Sequence, residues 1–392
     1  MNFRAGILLA GTLMGCNQQP EQQQAEATRE SEAAQILAVD SVQSATDSQP
    51  TIALADTLPP YTALENRNPD APQRVSIGGV LYRVEALAVP DSTKPLRYTY
   101  PPEPGAADSA ALRTAVGTEV VYTFRLLKPN GQPLFSRQLL KTSLAAEIGE
   151  DLAVEAIAWP PTFIGYLPKF NALAFELPVN PPDSDSGGEL LLLLDARTGQ
   201  VRRQHLSRWY GGCNSPVALS ENGETLLTSF AIIQANGHVT SLSRPNQMIG
   251  GVLFVNNNRV LVTYVPKENQ SHSAAPSTRN TRLFDLNGHQ LAAFDLSSLD
   301  GGLGYRMLAT YIRQTKTYYL YDEGAQQLGL LPHDQPTAMR IVKLEQLQKF
   351  QPPQHSKEVS FSLNTEIGTQ IKFYVDTVTQ QVRYHFLRRP NQ

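Results

Sequence analysis

Cysteine, tryptophan and charge are all scarce in this sequence, and each scarcity excludes something. Two cysteines in 392 residues cannot build a disulfide framework or a four-cysteine zinc site. Charged residues make up 18% of the chain and leave a net charge of −3. Nucleic acid or an anionic lipid surface requires a basic stripe, and none is present, so no nucleic-acid partner is expected. No apolar run reaches the roughly 20 residues of a membrane-spanning helix. Catalytic signatures are missing as well: there is no HExxH, no G-x-S-x-G elbow and no P-loop. The seven histidines (His205, His238, His272, His289, His333, His355, His385) stand singly, without a histidine or cysteine partner at metal-ligand spacing. Gly301, Gly302 and Gly304 lack the strand-to-helix context of a dinucleotide turn. No catalytic residue, metal or cofactor is therefore expected. Long amphipathic helical patterns are also nearly absent, residues 341–350 being the best helical candidate.

What is present begins with an address. One positive charge at Arg4, an apolar run over residues 5–14 and a small residue at Gly15 make a secretory signal. Leu13-Met14-Gly15-Cys16 resembles the lipobox of bacterial lipoproteins, with Met14 a departure from the small or β-branched residue usual there. The resemblance implies cleavage before Cys16, a diacylglyceryl thioether on its sulfur and a palmitate-type acyl chain on the new amino group. One such chain holds a protein marginally, whereas two or three hold it on a membrane essentially permanently. Asn17 is not the aspartate that resembles an inner-membrane retention signal, so the outer membrane of a Gram-negative cell is the expected location. With Cys16 lipidated, Cys213 stands alone.

Residues 17–72 are dominated by Gln, Glu, Ala, Ser, Thr and Pro, with Tyr61 the sole aromatic. Such a segment buries too little apolar surface to offset its ordering entropy. As a flexible coil it reaches about 40 Å, a tether that stands a domain off the membrane. The expected organisation is a signal peptide over 1–15, the lipidated cysteine and tether over 16–72, and a β-rich domain over 73–392.

Within that domain one unit recurs: an apolar run, a polar turn with Asp, Asn or Gly, and a second apolar run. It appears at residues 121–127 and 134–140 around Asn130-Gly131, at 190–195 and 201–206 around Thr198-Gly199, and at 282–286 and 290–296 around Asn287-Gly288. Weaker copies lie at 318–322 and at 371–376 with 382–387. Asn-Gly and Thr-Gly between apolar runs read as hairpin turns, because such turns favour residues that accept positive φ. Further strand pairs precede several hairpins: 163–166 with 173–177, 216–220 with 225–233, and 252–255 with 260–265. Two strands followed by a hairpin every 40 to 50 residues or so is the pattern of a propeller blade. The stretches SPVALSENGETLLTSF and LFDLNGHQLAAFDL resemble β-propeller repeats of the broad WD40 and quinoprotein-like kind. That resemblance implies an all-β, propeller-like repeat of four-stranded sheets over residues 115–390, closed by C-terminal strands near Phe361, Ile371 and Tyr384 completing a blade begun near Tyr122. Stacked β-sandwich domains fit the same pattern. The NGQPLFSRQLLK hairpin and the loop after Pro181 make residues 119–201 similar to small Gram-negative envelope lipoproteins, which implies an address and no activity.

Three places carry candidate chemistry. Cys213 is either a nucleophile awaiting a histidine or a small buried residue entering the next strand. Residues 183–189 alternate oxygen ligands as calcium loops do, but Leu194 stands where the bidentate carboxylate belongs. Arg208, Trp209 and Tyr210 lie between a hairpin and the next blade, where propeller loops ring a ligand face, and they suit either stacking on a sugar or peptide or packing under the blade. If the repeats form blades, the loops at 208–210, 266–279 and 300–305 are expected to converge at one end. The resulting functional expectation is a non-catalytic binding or scaffolding lipoprotein of the cell envelope, taking an envelope protein or glycan. A polysaccharide- or peptide-acting enzyme and a purely structural envelope protein are the alternatives.

Overall fold

The computed structural model describes residues 55–65, 72–102, 112–182, 187–209, 213, 215–266, 279–296, 307–365 and 368–388. The signal sequence, Cys16, residues 17–54, Tyr210, and most of the loops at 183–186, 267–278 and 297–306 lie outside them. Among the described residues, six sheets hold all the strands, and each is built almost wholly from consecutive chain. A short strand β1 (Tyr61–Ala63) comes first and belongs to the third sheet. The first sheet is β2 (Arg74–Ile77), β3 (Val80–Thr99), β4 (Thr114–Leu127) and β5 (Pro133–Leu140). Two short helices, α1 (Ala145–Ile148) and α2 (Glu150–Glu155), lead to the second. That sheet is β6 (Thr162–Leu167), β7 (Ala172–Val179), β8 (Gly188–Asp195) and β9 (Val201–Trp209).

The third sheet runs β10 (Ala218–Ser220), β11 (Thr225–Leu227), β12 (Ala231–Gln234) and β13 (Val239–Ser241). The fourth is β14 (Gln247–Asn256), β15 (Arg259–Pro266), β16 (Thr281–Asp285) and β17 (Gln290–Phe294). The fifth is β18 (Ala309–Ile312), β19 (Thr317–Asp322), β20 (Gln327–Pro332) and β21 (Arg340–Lys343). The sixth orders β22 (Gln348–Lys349), β25 (Val382–Arg388), β24 (Gln370–Asp376) and β23 (Glu358–Asn364), with β22 parallel to β25.

The second to fifth sheets are buried on both faces because each stacks on two neighbours. Five apolar clusters join consecutive sheets in order. Phe124, Phe135, Phe175 and Leu192 join the first to the second, and Ala174, Leu193, Leu226 and Ile233 join the second to the third. Ile232, Phe254, Val262 and Phe284 join the third to the fourth. Leu261, Leu283, Tyr318 and Leu331 join the fourth to the fifth, and Tyr319, Leu330, Phe361 and Phe373 join the fifth to the sixth. Burial of this area, at about 25 cal/mol per Å², is available to a four-stranded sheet only when it is sandwiched between two others. The architecture is the propeller-like repeat of four-stranded sheets. Among the described residues no such cluster joins the first sheet to the sixth. The far face of the first keeps Leu81, Leu87 and Val89 about half exposed, while on the sixth Phe350 stacks on Tyr374 at 3.7 Å.

A shared turn explains why the repeats were visible in sequence. Asp195 closes β8 by accepting the amides of Arg197 and Thr198 at 3.0 and 2.8 Å. Asp376 does the same for Val378 and Thr379 at 2.9 and 2.7 Å, and Asp285 for Asn287 and His289 at 2.9 Å each. The carboxylate replaces the ladder partners that the strand loses where it reverses. Gly199, at φ +70°, then turns the chain back, and a Cβ there would strike Phe135.

Four expectations change. Residues 341–350 form no α-helix: Ile341 and Val342 pair with Gly329 and Leu328, and β22 follows. The apolar pair packs toward opposite neighbours, Ile341 with the fourth–fifth cluster and Val342 with the fifth–sixth, which is strand periodicity. Residues 225–233 are two strands, because Thr228 folds its hydroxyl onto the Ala231 amide at 2.9 Å and makes a tight turn between them. The C-terminal strands do not complete the sheet of Tyr122; they form a sheet of their own, and β4 is already flanked by β3 and β5. The segment expected to be tether up to residue 72 contributes residues 55–65 to the folded domain, as described next.

Candidate functional site

In every sheet but the sixth β2, β6, β10, β14 or β18 leads a meander of four strands taken in chain order, and the end at which that strand begins is here called upper. First strands therefore present a ladder edge with no further sheet neighbour, except where another segment pairs with it. On β10 that segment is β1, antiparallel, with Tyr61 opposite Ser220, Thr62 opposite Leu219 and Ala63 opposite Ala218. The Leu64 amide continues the pairing to Val217 at 2.8 Å. Upstream, the Ala55 amide donates to Ser360 of β23, and the Arg313 amide donates to Asp56 at 2.9 Å. The Arg313 guanidinium reaches the Asp56 carboxylate at 3.3 Å. Eleven residues of the low-complexity leader thus touch the sixth, fifth and third sheets in turn.

Around this segment lies a cavity of about 630 Å³. Its walls come from the third sheet at β10 and β11, from β14, β18 and β23 of the fourth to sixth sheets, and from alternate residues of the leader itself. Ser215, Thr310, Tyr311, Ser360 and Tyr61 supply hydroxyls, Val252, Phe254 and Phe361 apolar surface, and Glu65 the sole carboxylate of the described lining. Among the described residues no histidine lines it, and three tyrosines, Tyr61, Tyr311 and Tyr318, do. Recognition of an extended chain needs hydroxyls, apolar pockets and an open ladder edge, and the cavity supplies all three.

The residues singled out from the sequence sit elsewhere. Trp209 ends β9, the outermost strand of its sheet, and packs half-buried against the cluster between the first two sheets. Arg208 beside it turns to the other face. Its Nη2 donates to both oxygens of Glu176, at 3.1 and 3.2 Å, and meets Glu189 at 2.6 Å. Burial pushes the Glu176 carboxyl up to about 7, the Glu189 charge adds to this, and Arg208 opposes it. Burial also works against the charge of Arg208, but the two carboxylates outweigh it and hold the guanidinium above its ordinary range. This is a packed ion cluster rather than a stacking platform. Trp209→Ala should accordingly cost about 2–3 kcal/mol of stability, read from a urea melt. A loss below about 0.5 kcal/mol would free the ring for ligand duty.

Cys213 is buried, with its Sγ 3.3 Å from the Ser215 hydroxyl. That placement matches the packed cysteine entering β10 rather than a nucleophile with a histidine. The candidate calcium loop lies outside the described residues but for Gly187, Gly188 and Glu189, and Glu189 is engaged by Arg208. Among the described residues no group of three metal-ligating side chains assembles, and no helix is long and apolar enough to cross a membrane. The strands flanking residues 210–212, 267–278 and 297–306 all end at the upper side; the loops themselves lie outside the described residues.

No family model matches this sequence, and no curated protein does. Solved structures similar to it include dihydro-heme d1 dehydrogenase NirN, at 11% identity over 70% of this chain and TM-score 0.28. This chain spans 56% of NirN's length. BamB from Moraxella catarrhalis is similar at 12% identity over 76% of each chain, TM-score 0.27. The β-propeller domain of the trilobed protease from Pyrococcus furiosus is 8% identical over 81% of this chain and 97% of that one, TM-score 0.21. At such distances they assign no activity.

Proposed function

We propose that this chain is a non-catalytic binding protein of the bacterial cell envelope, held by lipid on Cys16, whose propeller takes an extended peptide segment of a partner along the inner edge of β10. The observation that carries the reading is the leader segment itself: residues 61–64 occupy that edge by main-chain pairing. An edge that accepts one extended segment in cis accepts others by the same hydrogen bonds, with alternate side chains falling into the cavity. The lining's single carboxylate favours binding over hydrolysis. The lipid address rests on the sequence Leu13-Met14-Gly15-Cys16, and mass spectrometry of the mature N-terminus tests it directly.

The binding reading is tested with the mature chain carrying Cys16→Ser and a panel of fluorescent, unstructured peptides followed by anisotropy. Peptides bind without being turned over, and Thr310→Arg, which fills the cavity, weakens them at least about tenfold while the melting temperature stays the same. Cleavage of the peptides, or binding of oligosaccharides instead, overturns it.

A further inference from the structure

Above the third and fourth sheets, away from the cavity, two arginines meet on one aromatic ring. Arg244 lies in the connection into β14, Arg282 in β16, and Tyr264 near the upper end of β15. The guanidinium carbons of Arg244 and Arg282 stand 5.4 and 5.3 Å from the centre of the Tyr264 ring. Arg244 is also 5.3 Å from the centre of the Phe284 ring. The ring is fixed, because Tyr264 is buried and its hydroxyl donates to the Leu242 carbonyl at 2.8 Å.

Several other arginines of this domain have a carboxylate. Arg208 has Glu176 and Glu189, Arg202 has Asp195, Arg313 has Asp56, and Arg383 has Glu358. Among the described residues no carboxylate pairs with Arg244 or Arg282. Both are half-buried, so water does not fully compensate them. Burial lowers the Arg282 guanidinium below its ordinary range, and the neighbouring Arg244 charge lowers it further. Two like charges drawn partly out of water onto one ring, with no counter-charge among the described residues, are unfavourable unless a third partner arrives. The quadrupole of the ring accounts for attraction of each cation singly, not for their pairing.

We propose that Arg244 and Arg282 form a binding site for a phosphate-class oxyanion at the upper rim between the third and fourth sheets. The planar forks suit the several oxygens of such a group, each taking two parallel N–H donors. Tyr264 and Phe284 orient the forks and shield them from bulk solvent. The anion is either free phosphate or the phosphodiester of a lipid headgroup; both present the same oxygens.

The test uses the mature chain with Cys16→Ser and three variants: Arg282→Gln, Arg244→Lys, and Arg259→Gln as a control at the opposite end of β15. Inorganic phosphate and pyrophosphate raise the melting temperature saturably in the parent and the control. Arg282→Gln abolishes that rise, and Arg244→Lys weakens the apparent affinity at least about fivefold. In phosphate-free buffer Arg282→Gln melts no lower than the parent, because it relieves repulsion; a variant that merely misfolds melts lower, and Arg244→Lys then carries the comparison. Co-sedimentation with phosphatidylglycerol vesicles, against phosphatidylcholine, separates the sources: Arg282-dependent binding to the anionic vesicles assigns the headgroup, and phosphate binding without it assigns the free ion. A phosphate effect equal in the parent and in Arg282→Gln, or no effect with either probe, overturns the site.

Discussion

Replacing Arg208 by alanine is expected to cost about 3–5 kcal/mol of stability, because it leaves Glu176 and Glu189 facing each other in the packed space between the second and third sheets. Glu176 then loses the guanidinium that both its oxygens accept from, and it is only 7% exposed. The ion cluster carries two carboxylates and one guanidinium, so one proton completes its neutrality. Glu176 is the group that takes it, burial and Glu189 having raised its carboxyl from 4.5 to about 7. A carboxyl raised in the folded state contributes stability that is fully present below its unfolded value and is lost as pH rises through its folded value. The window therefore runs from about pH 4.5 to about pH 7. Across it the parent should lose about 3 kcal/mol at most, the free-energy equivalent of a shift of that size. Glu176→Gln should flatten the curve over that window and leave the protein at least as stable as the parent at pH 8. Urea melts at pH 5, 6, 7 and 8 read both variants. A parent whose stability climbs with pH through this range contradicts the assignment.

A comparable loss, about 3–5 kcal/mol, is expected for Lys141→Met just beyond the end of β5. Lys141 is 1% exposed, and its Nζ donates to the carbonyls of Val154 and Ala156 at 3.0 and 2.9 Å. Those are carbonyls at the C-terminal end of α2, which lack helical partners of their own. Burial lowers the lysine below its ordinary range, with Glu119 opposing. Glu119 in turn accepts the Val120 amide at 2.9 Å and the Thr142 hydroxyl at 2.6 Å. Methionine keeps the volume but abandons two buried carbonyls and the counter-charge of Glu119. The same junction admits no side chain at Gly117, where a Cβ would lie 1.9 Å from the Val154 carbonyl oxygen. Urea denaturation of Lys141→Met checks the figure, and a loss under about 1 kcal/mol would mean that water replaces the ammonium.

The hairpins were legible because each ends on a residue that solves a local problem, Asp195 and Gly199 being the clearest pair. The turn inside 225–233 was not, since Thr228 and Ser229 look like strand residues until the Thr228 hydroxyl finds the Ala231 amide. The sequence puts Trp209 between a hairpin and the next blade's first strand, whereas it is the last residue of β9. Whether that position is the inner or the outer strand depends on how the meander is oriented, and it proved to be the outer one. Residues 55–65 were hidden for a different reason: Tyr61-Thr62-Ala63 carries almost no apolar signal and is a strand only because β10 offers it an edge. Arg244 and Arg282 are remote in sequence, and only the fold brings both over the one Tyr264 ring.

The proposed role of the β10 edge is tested most directly by locking its occupant in place. Thr62 and Leu219 stand directly opposite each other in the antiparallel pair, a geometry in which Cβ atoms approach to about 4.5–5.5 Å, near disulfide range. The double variant Thr62→Cys with Leu219→Cys, in the mature chain with Cys16→Ser, forms a reversible clasp; Cys213 is buried and stays out of it. Peptide affinity by fluorescence anisotropy should fall at least about tenfold when the clasp is oxidised and return fully on reduction. Equal affinity in the two redox states would contradict the account, because the leader segment would then not occupy the binding edge.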